Sequence, residues 1–306
     1  MTSTIRICDV TKEYGRIKAV RGTTFELGQG ELVALIGHNG AGKTTLMKLM
    51  LGLIRPTSGS IEVLGDDPAA GEFAGRRQLG FLPENVSFDT ALTGRETQAF
   101  YARLKRQPVS KAMDLLDAVG LGPASRRRVG TYSKGMRQRL GLAQALIGHP
   151  KVLLLDEPTT GLDPELRQTF YEVITRLASQ GTTVLLASHA LTELEERAGR
   201  VIILNHGVKV ADGSIERLRK IARLPTKIRL KVAGMAGGEL PTWLPRVASF
   251  RRINGHTVEI DATPQRKLEL LHQATSSGSS VEDLDLIPPT LDELYAHFLR
   301  QAEQQA

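Results

Sequence analysis

Two short stretches hold residues whose types and spacing suit phosphate chemistry. Gly37–Thr45 reads "GHNGAGKTT" and fits G-x-x-x-x-G-K-[ST]. Small residues there let successive backbone N–H groups turn inward around phosphate oxygens, and a helix start behind them adds partial positive charge. Gly37, His38, Asn39, Gly40, Ala41, Gly42 and Thr45 would shape that cradle. Lys43 supplies a point charge for β- and γ-phosphates, and Thr44 a hydroxyl able to ligate Mg²⁺. The second stretch, "KVLLLDEP" at Lys151–Pro158, ends an apolar run in two adjacent acids. Asp156 is placed to hold Mg²⁺ through water, and Glu157 to take a proton from water attacking a γ-phosphate. Together they predict an ATPase whose ligands are ATP and Mg²⁺.

Such residues need a strand before the loop and a helix after it. "ELVALIG" (Glu31–Gly37) is a compact apolar strand, preceded by strands near Ile5–Val10 and Thr23–Leu27. Behind the loop, Leu46, Leu49, Met50 and Leu53 recur at helical spacing, and Pro56 and Gly59 end the helix. Helices follow over about 94–119 and in "YSKGMRQRLGLAQALIG". The buried-type strands "KVLLLD" and "TTVLLAS" flank a helical Pro164–Ser179, an order that implies parallel strands in an α/β sheet. "RVIILNHGVKVADG" reads as a hairpin.

The character changes near Leu224–Pro225. "TKIRLKVAG" alternates Ile228, Leu230 and Val232 as a half-exposed strand does, "HTVEIDAT" repeats the pattern, and "QRKLELLHQA" is helical. Thr290 and Glu293 form a capping box for a last helix. "GMAGGELPTW" reads as a loop. A break after Arg223 divides the chain into 1–223 and 224–306.

A third stretch, "TYSKGMRQRLGLAQAL", raises a question. Ser133 can cap a helix that carries Lys134, Arg137 and Arg139, and a helix start attracts anions. Yet the better phosphate loop lies far upstream. "GHNGAGKTT", "YSKGMRQ", "LLLDEP", "GLDP" and "ASH", in that order, resemble the nucleotide-binding subunits of ATP-binding cassette (ABC) transporters over roughly Ile5 to Ser214. The resemblance implies an α/β P-loop NTPase cassette with a helical subdomain at about 86–150, leaving a small α+β C-terminal domain beyond it. It implies a homodimer stacked head to tail, with Ser133 and Gly135 of one copy facing the γ-phosphate held by the other. The family's usual LSGGQ stands here as "YSKGM", with Lys134 and Met136 as departures.

The same resemblance implies that Tyr14 stacks on adenine and that His189 contacts the γ-phosphate and orients the water. It puts Asp163 in a loop crossing the dimer interface. Glu84 in "FLPEN" replaces the usual glutamine that touches Mg²⁺ and senses an integral membrane subunit. Narrower similarities ("LPENVSF", "GRET", "ARLK") resemble ATPase subunits of transporters that mature the copper sites of nitrous oxide reductase. The alternative is an exporter ATPase for a drug, lipid or other substrate. Either implies a peripheral protein on the cytoplasmic face of the bacterial inner membrane, with a periplasmic accessory protein reached through the complex.

Composition removes other classes. One cysteine, Cys8, excludes a disulfide framework and cysteine-based zinc sites, and points to a reducing compartment. "MTSTIRICDV" lacks a secretion-signal pattern, and the longest apolar runs are too short to cross a bilayer, so a membrane role needs a partner. The net charge of +7 suits nucleic acid, an anionic surface or phosphate ligands. Apart from Arg126–Arg128 the positive residues are scattered, which reads as solvated surface and predicts no nucleic-acid partner. DNA-repair cassettes need zinc cysteines or a long coiled-coil insertion, and ribosome-associated cassette proteins carry two cassettes. A single cysteine and a single phosphate loop argue against both. No Cys-x-x-Cys, His-rich run or Met cluster offers a copper site, and His38 is expected among backbone donors rather than as a ligand.

Overall fold

The computed structural model describes residues 3–70, 74–233, 244, 250–276 and 280–305; the expected loop "GMAGGELPTW" lies outside them. The chain separates into two units, Met1–Ser214 and Ile215–Ala306. The first contains β1 (Ser3–Tyr14), β2 (Ile17–Gly28), β3 (Leu32–Ile36), β4 (Ser58–Val63), β5 (Leu79–Leu82), β6 (Val152–Asp156), β7 (Thr183–Ser188), β8 (Arg200–Asn205) and β9 (Val208–Gly213). β2, β1 and β4 make a small antiparallel sheet. The larger sheet runs β5-β6-β7-β3-β8-β9, parallel except for the β8–β9 hairpin at its edge.

Every residue of β6 and β7 is buried, as parallel strands covered on both faces require. The register sets Ile36 beside Ser188 and Asp156 beside Ala187. The carboxyl ends of β3, β7 and β6 therefore open side by side, the edge where open α/β sheets bind ligands. α1 (Lys43–Met50) buries Leu46, Met47, Leu49 and Met50 in the core between the two sheets' residues. Each such side chain contributes about 1.5–3 kcal/mol.

Between β5 and β6 the chain inserts α2 (Gly94–Leu104), α3 (Val109–Ala118) and α4 (Lys134–Ala145). A capping box of Thr93 and Glu96 starts α2, with Glu96 Oε2 accepting the Thr93 N–H at 2.8 Å. The buried Gln98 amide donates to Ala143 O at 3.0 Å and ties α2 to α4. α5 (Pro164–Ser179) has the bounds expected from sequence, and the five-residue α6 (Leu191–Glu195) follows β7.

In the second unit α7 (Ile215–Ala222), placed before the expected break, groups with the strands that follow. β10 (Thr226–Val232), β11 (Phe250–Asn254), β12 (Thr257–Ala262) and β13 (Val281–Ile287) form an antiparallel sheet in the order β11-β12-β10-β13, with α8 (Lys267–Thr275) and α9 (Leu291–Gln305). Ile228, Leu230 and Val232 point into one core, as their alternation predicts. The Thr290–Glu293 capping box is present, at 3.0 and 3.3 Å.

Candidate nucleotide site

The loop between β3 and α1 lines a cleft of about 540 Å³, together with Tyr14, Glu84, Asp156 and Glu157. Its shape depends on backbone that side chains cannot copy. Gly42 has φ of 104°, and a Cβ there would stand 2.5 Å from Ala19 O. Gly207, in the β8–β9 turn, has φ of 81° and would put a Cβ 2.7 Å from the same oxygen. Gly207 also donates to Ala41 O at 3.0 Å and accepts from the Arg21 N–H at 2.8 Å. Phosphate loop, β2 and β8–β9 turn thus meet backbone to backbone.

Lys43 is buried, with its ammonium donating to Gly37 O at 2.6 Å and His38 O at 3.3 Å. The charge therefore lies inside the loop. Thr44 Oγ1 donates to Asp156 Oδ2 at 2.8 Å across the cleft floor. Burial pushes the Asp156 carboxyl above its ordinary value; the Thr44 hydrogen bond and Lys43 pull it down, while Glu157 and Glu84 push it further up. A divalent cation would relieve that crowding of negative charge, and the available donors are all oxygen, as Mg²⁺ prefers. Among the described residues no three His, Cys, Asp or Glu side chains form a metal-holding cluster. An ion here would draw its remaining ligands from phosphate and water.

Glu157 follows β6 with φ of 48°, a left-handed backbone that costs a non-glycine residue about 1–2 kcal/mol. Its N–H is fixed on Ala187 O at 2.9 Å, and its carboxylate meets His189 Nδ1 at 2.8 Å. The carboxylate is nearly buried, whereas the His189 side chain is 69% exposed. A carboxylate that lines the cleft and bonds an imidazole is thus assembled from the ends of two adjacent strands. Tyr14 is half-exposed at the end of β1, with Lys12 Nζ 5.1 Å from its ring centroid, leaving aromatic surface available for a planar base.

Of the expected residues, Gly37, Ser133, Gly135, Asp163 and His189 are not among those that line this cleft. Ser133 is exposed and caps α4, its Oγ accepting the Met136 N–H at 3.2 Å. Gly135 is buried beside Leu162 and Gly161. Asp163 caps α5 through the Leu166 N–H at 2.9 Å, with Pro164 as the first helical residue. Within one chain the serine-led helix start does not reach the phosphate loop's cleft.

His38 departs from expectation. Its ring nitrogens face oxygens, not backbone donors: Nδ1 lies 2.7 Å from Asn39 O and Nε2 3.0 Å from Asn205 Oδ1. The ring also packs 4.7 Å from that of His206. The imidazole is a strut between the phosphate loop and the β8–β9 turn. Arg16, Lys18, Arg21 and His206 line the cleft as well, none of them singled out from sequence. For Arg16, Lys18 and Arg21 the sequence signal is three cations spaced along one hairpin directly after Tyr14.

A family model described as ABC transporter matches residues 20–160. The daunorubicin resistance ATP-binding protein DrrA3 of Streptomyces coeruleorubidus is 34% identical, over 96% of this chain and 95% of that protein. The bacitracin transport ATP-binding protein BcrA of Bacillus licheniformis is 37% identical over 72% of each. Among solved structures, an ATP binding subunit of an ABC transporter shares 29% identity, with a TM-score of 0.67 over 71% of this chain and 92% of its own.

Proposed function

This chain belongs to the ABC transporter family, among its ATP-binding subunits, and from that premise we propose that it drives a separate membrane subunit in the export of drug-like or antibiotic molecules. The chain binds ATP and is an ATPase. The export reading draws on relatives named for daunorubicin resistance and bacitracin transport. The reading as an ATPase for copper-site maturation rests on the short sequence similarities alone, so export is preferred. No helix among the described residues is long and apolar enough to cross a membrane, which fits a peripheral role at the cytoplasmic face of the inner membrane. A periplasmic accessory protein would be met only through the membrane subunit.

One observation carries the mechanism: Lys43, Asp156 and Glu157 converge in one cleft while the exposed Ser133 stands outside it. The phosphates of ATP lie along the loop and the start of α1, with Lys43 turning from loop carbonyls toward them. Mg²⁺, held by Thr44 and Asp156 with Glu84 nearby, would screen the phosphate charge. Glu157 accepts the proton of the attacking water, and His189, hydrogen-bonded to Glu157, orients it. Ser133 and Gly135 of a second copy donate to the γ-phosphate, so the ligand bridges two chains and hydrolysis removes the bridge. Leu51, Phe81, Val86, Phe88 and Tyr101 line a neighbouring groove that we assign to the membrane subunit.

The test is Glu157→Gln. Hydrolysis falls about 10²–10⁴-fold, and light scattering detects a dimer only with ATP. Undiminished hydrolysis would remove Glu157 as the base. A chain with the substitution that stays monomeric in ATP would remove the shared site.

A further inference from the structure

His189 has little packing of its own. Its side chain is mostly exposed, and it precedes a helix of only five residues, too short to hold itself. Something else must set its position. We propose that Arg167 is a positioning residue for hydrolysis, locking the loop after Glu157 to the segment that carries His189. The proposal rests on the reading of Glu157 and His189 given above.

Arg167 projects from the first turns of α5 and divides its donors between two elements. Its Nε donates to Leu162 O at 2.9 Å, holding the loop that runs from Glu157 to Asp163. Its Nη1 donates to Glu193 Oε1 at 2.6 Å, on α6. The second Glu193 oxygen accepts from the hydroxyl of Tyr171, one turn further along α5, at 3.2 Å. Tyr171 is 1% exposed, and burial, then the Glu193 carboxylate, push its hydroxyl upward, so it remains a neutral donor. Arg197 stacks 4.8 Å over the Tyr171 ring.

These bonds close a loop of contacts. Glu157 bonds His189; His189 leads into α6; Glu193 on α6 bonds Arg167; Arg167 bonds Leu162, whose loop returns through the Leu162–Thr159 and Thr160–Glu157 turns to Glu157. The separation of the Glu157 carboxylate and the His189 ring is therefore fixed at both ends. A guanidinium is required, because its rigid fork serves a carbonyl and a carboxylate at once, whereas a lysine offers a single point charge. Glu157 alone of these groups lines the nucleotide cleft; Arg167, Glu193 and Tyr171 do not. Their loss therefore leaves ATP affinity alone and lowers turnover.

The experiment measures ATP hydrolysis, ATP binding and thermal midpoint for the full chain carrying Arg167→Met, Arg167→Lys, Glu193→Gln or Tyr171→Phe. In Arg167→Met and Glu193→Gln, kcat falls about 10- to 100-fold, within the range misplacement of reacting groups produces, while ATP affinity stays within about threefold. Arg167→Lys recovers part of the loss, and Tyr171→Phe costs least. Adding Arg167→Met to His189→Ala causes no further loss, because both act through one imidazole. Unchanged kcat in Arg167→Met, equal loss of kcat and ATP affinity, or additive losses in the double variant would overturn the proposal. If Glu157→Gln keeps full activity, the hydrolysis reading itself fails instead.

Discussion

The phosphate-loop cleft and the start of α4 both present a helix N-terminus, yet they are built differently. The cleft encloses its charge: Lys43 is buried, Thr44 is bonded to Asp156, and three backbones meet around Ala19. At α4 the serine is exposed and its capping bond is the ordinary one of a helix start. One region encloses its polar groups and the other leaves them at the surface, the division that the proposed shared site calls for. A shared reaction centre needs both kinds, because a site complete in each chain would give no reason to pair.

Three substitutions probe that contrast. Lys43→Ala strips the cleft of its buried cation, and ATP affinity drops roughly 100-fold, the size of lost charge-assisted hydrogen bonds; equilibrium dialysis with labelled ATP reads it. Ser133→Asp keeps an equally good cap, so stability changes by under about 0.5 kcal/mol. It also brings a carboxylate toward the γ-phosphate on the other copy, and hydrolysis falls on the order of 10-fold or more while ATP binding by a single chain is unaltered. If activity survived, α4 would be a capped helix and nothing more.

The smallest effect sharpens the cleft side. Asp156 has a folded value raised above its unfolded one, so its ionised form weakens the fold at neutral pH; the penalty is absent below about pH 4 and complete above the folded value. Asp156→Asn therefore raises the thermal midpoint at pH 7 by about 2–4 °C, as read by calorimetry. Asp212, held below its ordinary range by Arg200 and Lys209 against the cost of burial, has the opposite sign: it supports the fold above about pH 4 and ceases to do so as pH falls.

What sequence makes legible here follows the range of the interactions. Gly37–Thr45, the Asp156–Glu157 pair and the helix bounds of α5 are local patterns: the loop joins β3 to α1, the acids stand at the end of β6, and α5 spans Pro164–Ser179. β5 is four residues interrupted by Gly80, whose missing Cβ lets Ala145 O approach, so neither length nor alternation announces it. β13 alternates weakly because its residues are half-buried or exposed. The cations at Arg16, Lys18 and Arg21 look like scattered surface charge until the β1–β2 hairpin folds over the phosphate loop. The bond from His38 to Asn205 is hidden in sequence because 167 residues separate the two. Sequence does not announce the Arg167–Glu193 bond either, since an arginine on an amphipathic helix usually points to water.

The joint at Ala19 has a consequence for ligand choice. Gly42 and Gly207 press on the carbonyl of Ala19 from two chain segments, and a side chain at either would force them apart. The hairpin bearing Tyr14 and the loop bearing Lys43 are consequently spaced by rigid main chain, not by adjustable side chains. On the binding mode proposed above, the cleft acts as a caliper with a set jaw width, measuring the distance from an aromatic base to its terminal phosphates before any chemistry begins.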